Sequence, residues 1–303
     1  MTMKLMRMLV RSLPQRLSFK LVAALATRTQ RPPLTPAQAE ALALATRIRV
    51  GPERRHVAWQ WGETGPLVVL VHGWNGRSGQ MAPLAAHLAA CGFRCIALEV
   101  TGHGDAPGRR TRWRCFIDEP AELVAALQGE PVHAVVGHSA GGLAAMASRS
   151  LKGLRARRWV CICSPSHPFP PIDVVRKKLD PPAAVVDLYR EHIAQQFTTT
   201  WADLAAGRAF AGAGPELLLL YDEADRVVDP LEGDRIARWC PGAQLVKTTG
   251  HGHTKVLAAP ELKEKIAAFL LAEPPAAGSA PTDGEARDAD IAARGASLAA
   301  PVV

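Results

Sequence analysis

Residues 132–141 read Val-His-Ala-Val-Val-Gly-His-Ser-Ala-Gly, the most informative segment of the chain. Its apolar first half predicts a short buried strand, and the pattern that starts at Leu143 predicts a helix. The turn from strand to helix is so sharp that Ser139 takes a strained backbone conformation. The glycines at 137 and 141 remove β-carbons that would collide across this turn. The serine hydroxyl is then exposed at the carboxyl edge of a sheet, as a nucleophile must be.

A second apolar run, residues 67–71, predicts a strand covered on both faces and leads into His72-Gly73-Trp74-Asn75-Gly76. Acyl transfer develops negative charge on a carbonyl oxygen, and two backbone N–H groups can hold that charge. We expect these donors to be Ala140, directly after the serine, and Trp74, on the glycine-flanked loop. An ordinary turn between strand and helix remains an alternative interpretation of residues 72–73.

Residues 216–221 predict another buried strand, and the loop after it reads Asp222-Glu223-Ala224-Asp225-Arg226-Val227-Val228. A carboxylate in this position can orient a histidine and stabilise the imidazolium that forms during catalysis. Asp225 is favoured because the two valines that follow can anchor the loop. Asp222 and Glu223 remain alternatives.

The last predicted strand, residues 244–248, leads to Gly250-His251-Gly252-His253-Thr254. A general base must be carried by a loop that lets its imidazole reach the serine and the acid together. His253 is preferred over His251 because it adjoins the final helical pattern. Metal binding by the two histidines is a weaker alternative, since no third ligand with suitable spacing lies nearby.

The chain order Ser139, Asp225, His253, with the strand–HGW loop and the serine turn, resembles the α/β-hydrolase superfamily. The resemblance covers roughly residues 56–272 and rests on HGWNG, GHSAGG and the D-R-V-V…G-x-G-H pair. Thr101-Gly102-His103-Gly104 is similar to the GHG loop of the family, whereas Glu99 or Thr101 stands where many members carry Asp. The resemblance implies a serine nucleophile, a histidine base and an orienting acid in these three places.

Apolar strands alternate with helical patterns, which predicts an α/β fold with a mostly parallel, doubly wound sheet. The interval between strands ending near Ser164 and starting near Glu216 is too long for a plain crossover and predicts a helical cap. The predicted division of the chain is a basic helical arm at 1–50, a core at 51–164 and 215–272, a cap at 165–214, and a disordered tail at 273–303.

Aromatic side chains in and near the cap are candidates for a substrate pocket. We expect Trp74 and His138, beside the proposed oxyanion site and nucleophile, to contact substrate together with Phe169 and Trp201. Tyr189 and Phe197 are further candidates. The alternative for any of the cap aromatics is that it only holds the cap to the core.

Charge is concentrated in the first 39 residues, which hold seven cations and no acid in a chain of net charge +8. Residues 1–30 mix six of these cations with Met and Leu at near-helical spacing, so they can lie on an anionic membrane surface. They can also pack as a helical arm on a protein surface, which is the interpretation we favour. Thr35-Pro36-Ala37-Gln38 predicts a capping box that opens a further helix. Nucleic-acid binding is not expected, because the basicity is not spread over the core.

These features together predict a cytoplasmic, cofactor-free and metal-free serine hydrolase that cleaves a small-molecule ester or thioester. Arg7, Arg11 and Arg16 interrupt any secretory signal, and no run of apolar residues is long enough to span a membrane. Six cysteines without a C-x-x-C motif fit buried thiols in a reducing compartment. The alternatives are an acyltransferase that uses the same three residues and, from another class, a non-catalytic binding or membrane-docking protein. The sequence leaves acyl length and oligomeric state open.

Overall fold

The computed structural model describes residues 2–51, 53 and 55–273. Within this part of the chain, eight strands form one sheet in the spatial order β1-β2-β4-β3-β5-β6-β7-β8. Only the β1–β2 and β2–β4 pairs are antiparallel. The predicted mostly parallel α/β sheet is confirmed. The strands are β1 Thr46–Val50, β2 His56–Trp61, β3 Leu67–Val71, β4 Arg94–Glu99, β5 Val132–His138, β6 Arg158–Ile162, β7 Leu217–Asp222 and β8 Gln244–Thr248.

Helices cover both faces of the sheet, which is why the central strands are continuous apolar runs. Every residue of β3, β6 and β7 is buried. One face packs against α5 and α6, and the other packs against α4 and α12. The helices are α1 Met3–Ser12, α2 Gln15–Ala26, α3 Pro36–Ala43, α4 Ser78–Ala90, α5 Trp113–Ala126, α6 Ala140–Leu151, α7 Phe169–Leu179, α8 Ala183–Gln196, α9 Trp201–Ala205, α10 Leu231–Trp239, α11 Gly252–Lys255 and α12 Pro260–Leu271.

The sheet begins earlier than the predicted boundary at residue 51. Residues 46–50, predicted as the end of the helical arm, form the edge strand β1, which pairs with β2 from Thr46↔Gln60 to Val50↔His56. Ile48 and Val50 are half-buried, whereas Arg47 and Arg49 are exposed. This alternation is the period of a strand with one face on the core. The division of the chain is corrected accordingly.

The interval predicted as a cap holds α7, α8, α9 and a 3₁₀ turn at Arg208–Phe210. Tyr189 and Phe197, which were candidates for a substrate pocket, are 4% and 2% exposed and belong to the hydrophobic core. They hold the cap to the domain, as the alternative interpretation stated.

The first two helices pack on the cap. Val10 of α1 and Val22 of α2 are fully buried, and the Ser18 hydroxyl donates a 2.7 Å hydrogen bond to the Val10 carbonyl. The Arg7 guanidinium donates to the carbonyl oxygens of Lys177 and Lys178 at 2.7 and 3.0 Å. These carbonyls end α7, where a cation is favourable.

Four further predictions concern the capping box, the thiols, membrane spans and the tail. The capping box of α3 is present, with Thr35 and Gln38 each accepting from the backbone of the other. All six cysteines are free. No helix of the described chain is both long and apolar enough to cross a membrane. The predicted disordered tail lies outside the described residues from 274 onward.

Candidate active site

Ser139 lies at the turn between β5 and α6 with φ 52° and ψ −121°. A non-glycine residue in this region is strained and needs support from its surroundings. The Ser139 N–H donates to the Ile162 carbonyl at 2.8 Å, and its own carbonyl accepts from Gly142 at 3.0 Å. A β-carbon at Gly141 would collide with the carbonyl oxygens of Val71 and His72. The sharp turn therefore depends on the glycine there.

His253 and Asp225 are joined by a hydrogen bond of 2.6 Å between Nδ1 and Oδ2. The other carboxylate oxygen of Asp225 accepts the backbone N–H groups of Val227 and Val228 at 2.7 and 3.0 Å. Burial raises the pKa of Asp225, but these hydrogen bonds and the charge of His253 outweigh it and leave the pKa below its usual value. Asp225 is thus held ionised and in one orientation, with the two valines anchoring the loop.

Asp222, an alternative for the acid, makes different contacts. Its Oδ1 accepts the backbone N–H groups of Ala224, His251 and Gly252 at 3.0, 3.1 and 2.7 Å. Its Oδ2 accepts the Thr248 hydroxyl at 2.8 Å. Asp222 therefore connects the loop after β7 to the loop that carries His253. No pattern in the sequence indicated this role. Glu223, the third acid, is exposed.

His251, the alternative for the base, points elsewhere. Its Nε2 lies 2.5 Å from Oε1 of Glu261, at the start of α12. Its backbone N–H is held by Asp222. The structure thus brings His253, and not His251, to Asp225.

His138 is 3% exposed and does not line the cavity described below, so its predicted contact with substrate is corrected. Its Nε2–H donates a 2.8 Å hydrogen bond to the backbone carbonyl of His253, and the two rings lie 4.8 Å apart. Burial lowers the pKa of His138 to about 3, so the ring is neutral. Its Nδ1 has no hydrogen-bond partner in the described chain. His138 holds the loop of the proposed base.

Two buried histidines hold the loop that presents Trp74. His72 donates from Nδ1 to the Gly73 carbonyl at 2.8 Å and accepts the Val100 N–H on Nε2 at 3.1 Å. His103 accepts the Asn75 N–H on Nε2 at 3.0 Å. Burial lowers the pKa of His103 to about 4 and that of His72 well below its usual value. Both rings are therefore neutral acceptors, as these bonds require.

Glu99, where many members of the resembled family carry Asp, affects the neighbouring loop. Its side chain is buried and accepts the N–H of Ser78, at the start of α4, at 2.9 Å and that of Asp105 at 3.2 Å. A β-carbon at Gly104 would collide with this carboxylate. Glu99 thus shapes the turn around His103 and makes no contact with Asp225 or His253.

Ser139, Ala140, His253 and Trp74 all line one cavity of about 550 Å³. The Trp74 ring stacks on Phe116 at 5.5 Å and lies 5.4 Å from Trp113, which is another wall residue. Further walls come from the cap and from the first two helices, namely Met3, Met6, Leu25, Ala26, Pro170, Pro171, Val174, Val175 and Leu179. The cavity is therefore mostly apolar. The contribution of α1 and α2 was not predicted.

The predicted substrate contacts of Phe169 and Trp201 are also corrected. Both rings pack against His167, at 5.2 and 5.5 Å, and neither residue lines the cavity. The guanidinium of Arg190 lies over the Trp201 ring at 5.7 Å. These aromatics fasten α9 to α7 and α8. Of the four candidates, Trp74 alone is in the wall.

One group of possible metal ligands lies at this site. Cys163 offers its thiol beside Asp225 and His253, and the three ligand atoms lie within 4.8 Å of one another. Two ligands of one zinc ion stand about 3.3 Å apart, because each metal bond is about 2 Å long and the geometry is tetrahedral. The 2.6 Å contact between Nδ1 and Oδ2 is a direct hydrogen bond and leaves no room for an ion. Burial and the charge of Asp225 raise the pKa of the Cys163 thiol.

Comparison with known proteins gives the class. A model of the alpha/beta hydrolase family matches residues 68–268. The chain belongs to the alpha/beta hydrolase family, and this membership supports its classification as a hydrolase. The matched range runs from β3 to α12 and contains Ser139, Asp225 and His253. A search of curated protein sequences found no match.

Solved structures with the same fold include several hydrolases at low identity. An esterase from Thermogutta terrifontis has a TM-score of 0.53 and 18% identity over 75% of this chain and 97% of its own. A monoacylglycerol lipase from Paleococcus ferrophilus has a TM-score of 0.52 and 22% identity, over 71% and 98%. A thioesterase domain from the curacin biosynthetic pathway has a TM-score of 0.53 and 15% identity, over 75% and 99%. These likenesses concern the fold.

Proposed function

We propose that the protein is a serine hydrolase that cleaves carboxylic esters or thioesters through an acyl-enzyme on Ser139. The observation that carries the proposal is the 2.6 Å hydrogen bond from His253 to Asp225, in a cavity that Ser139 also lines. Membership of the alpha/beta hydrolase family supports the class. The esterase, lipase and thioesterase of similar fold are compatible with either kind of substrate.

In the first half of the reaction, the Ser139 oxygen bonds to the carbonyl carbon of the substrate while His253 takes the hydroxyl proton. The hydrogen bond to Asp225 keeps the proton of His253 on Nδ1, so that Nε2 is the free base. The carboxylate also stabilises the imidazolium that forms. The carbonyl oxygen becomes an oxyanion, and the tetrahedral intermediate collapses when the leaving alkoxide or thiolate takes the proton from His253.

The donors for the oxyanion are the backbone N–H groups of Trp74 and Ala140. Neither group donates a hydrogen bond within the described part of the chain. Ala140 begins α6, so the positive end of that helix adds to the stabilisation. In the second half of the reaction, water loses a proton to His253, attacks the acyl carbon and releases the acid, and Ser139 regains its proton.

The cavity supports an apolar acyl group as the part of the substrate that is bound. Its volume of about 550 Å³ is within the range of small-molecule sites, and its walls offer Met, Leu, Val and Trp side chains. Each buried methylene contributes about 0.8 kcal/mol, which is roughly a threefold to fourfold gain in kcat/KM. We therefore expect kcat/KM to rise from acetyl to octanoyl esters.

The test combines covalent labelling with turnover. A fluorophosphonate should label the wild-type protein once, and Ser139→Ala should lose both the label and the hydrolysis of p-nitrophenyl and CoA esters, by about 1,000-fold or more. Ser150→Ala, at an exposed serine of the same helix, is the matched control and should behave as wild type. Turnover by Ser139→Ala within tenfold of wild type would overturn the proposal.

A further inference from the structure

Helix α1 has an unusual outer face. Val10 is buried and Met6 is half-buried against the domain, as expected for the inner side of a packed helix. The solvent side of the helix carries Leu5, Met8 and Leu9, which are 52%, 61% and 37% exposed. A packed surface helix normally has only polar and charged residues on this side. The outer face of α1, meaning its solvent-exposed side, therefore combines three apolar side chains with the exposed cations Lys4, Arg7 and Arg11.

The mouth of the cavity that holds Ser139 also exposes apolar side chains. Met3, Val174 and Val227 line the cavity and are also 52%, 51% and 56% exposed. They come from α1, from α7 and from the loop that carries Asp225. The cavity thus opens through an apolar rim to which α1 contributes Met3.

The charges beside this rim are mainly positive. Helices α1 and α7 carry six exposed cations, namely Lys4, Arg7, Arg11, Arg176, Lys177 and Lys178. The acids on these helices are Asp173 and, directly after α7, Asp180, which pairs with Arg11 at 2.7 Å. The surface therefore retains a net positive charge around apolar side chains. A surface that complements it has an apolar interior and negative charge on its outside.

We infer that α1 docks the mouth of the cavity on a lipid bilayer with anionic headgroups, and that the substrate is a lipid ester drawn from that bilayer. The identity of the substrate rests on the function proposed above. Leu5, Met8 and Leu9 enter the boundary between headgroups and acyl chains, while the cations contact the headgroups. A second copy of the chain fits this face less well, because a two-fold contact would bring the same cations together.

The docking is tested by binding, independently of hydrolysis. Full-length Ser139→Ala is floated with vesicles of phosphatidylcholine alone or mixed with phosphatidylserine. We expect binding to the mixed vesicles only, and its loss in about 0.5 M salt, where charges more than a few ångströms apart are screened. Adding Leu5→Glu and Met8→Glu should weaken binding by about tenfold or more, because two apolar side chains that enter the bilayer are replaced by charged ones. Neither residue lines the cavity. In a protein that keeps Ser139, the same two substitutions should therefore leave hydrolysis of p-nitrophenyl acetate unchanged.

The matched control replaces two exposed leucines on the other side of the sheet, Leu44→Glu and Leu271→Glu, which are 74% and 63% exposed. This control should bind vesicles as the parent does. A Leu5→Ser and Met8→Ser variant, with the same expected loss, replaces the charged one if the latter does not fold. The inference would be overturned if the outer-face and control variants bound vesicles equally. It would also be overturned if the Ser139→Ala parent did not bind mixed vesicles at low salt.

Two outcomes separate this inference from the proposed function. Vesicle binding without hydrolysis of any ester would overturn the proposed function and leave the docking surface. Hydrolysis of soluble esters without vesicle binding would overturn the docking inference and leave the proposed function. A dimer in solution that Leu5→Glu and Met8→Glu convert to monomer, with no vesicle binding, would assign the face to a second copy and overturn the inference.

Discussion

The ring of His138 donates a hydrogen bond of 2.8 Å from Nε2 to the backbone carbonyl of His253. The residue just before the proposed nucleophile therefore holds the loop of the proposed base. These residues are 115 positions apart in the chain. Because His138 is rigidly placed at the end of β5, it fixes the distance between the two loops.

Loss of this bond should impair turnover more than substrate binding. In His138→Ala we expect kcat to fall by about 10- to 100-fold with little change in KM, because a displaced base costs rate and not affinity. His138→Gln keeps an N–H donor and should recover part of the loss. Steady-state kinetics on p-nitrophenyl butyrate provides the measurement. A His138→Ala protein with wild-type kcat would show that the bond does not position His253.

The two aspartates of the loop after β7 should separate by phenotype. Asp225→Asn keeps the shape but lets His253 take the wrong tautomer, so we expect kcat to fall by about 1,000-fold or more. Asp222→Asn keeps one acceptor but loses the charge that holds three backbone N–H groups, so it should lower stability by about 1–3 kcal/mol. Urea unfolding and kinetics on both variants distinguish them. Equal loss of turnover in both, at equal stability, would contradict the assignment.

The two histidines of the loop after β8 provide another matched pair. His253→Ala should lose about 1,000-fold or more in kcat, as expected for the base of a unit that acts together. His251→Ala removes only a contact with Glu261, whose side chain is half exposed, so activity should stay within a few-fold of wild type. A larger loss in His251→Ala than in His253→Ala would exchange their roles.

Any side chain at Gly141 should destabilise the fold. Its β-carbon would meet the Val71 and His72 carbonyl oxygens, which are backbone atoms of the central sheet and its loop and cannot move away cheaply. We expect Gly141→Ala to lower the free energy of unfolding by about 1–3 kcal/mol and Gly141→Val to prevent folding. Gly214→Ala is the control, because the atom nearest to a β-carbon at position 214 is the Pro241 carbonyl oxygen, at 3.3 Å. Thermal melts with equal midpoints for Gly141→Ala and Gly214→Ala would refute a tight turn.

Acid should destabilise the protein through its buried neutral histidines. The pKa values of His138 and His103 are lowered to about 3 and about 4, whereas an unfolded histidine titrates near 6.5. Between these values the unfolded chain binds more protons, so stability is greatest above pH 6.5 and falls as the pH falls. Each histidine should cost about 2 kcal/mol between pH 7.5 and pH 5.

His138→Gln removes one of these groups, so its free energy of unfolding should depend less on pH than that of wild type. Urea titrations at pH 7.5 and pH 5 give the difference. An identical pH dependence in both proteins would mean that His138 is not held neutral in the folded state.

Much of the core could be predicted because it depends on signals within short segments. The apolar runs of β3, β6 and β7 identify buried strands, and the glycines around Ser139 identify a turn that only small residues permit. The capping box at Thr35 and the length of the cap interval are local signals too. β1 was missed although the alternation of Arg47, Ile48, Arg49 and Val50 was present, because the strand follows a helical arm without a break.

The sequence by itself determined the α/β sheet, the turn at Ser139 and the short list of acids and histidines. It could not decide how residues far apart in the chain meet. Asp222 ends β7 and Asp225 lies three residues later. Only the approach of residues 250–254 gives Asp225 the imidazole of His253 and gives Asp222 the backbone N–H groups of His251 and Gly252. Likewise, Met3 and Leu25 join the wall around Ser139 because α1 and α2 bury Val10 and Val22 against the cap. Periodicity indicates which face of a helix is apolar, but the surface that covers this face depends on the packing of the whole chain.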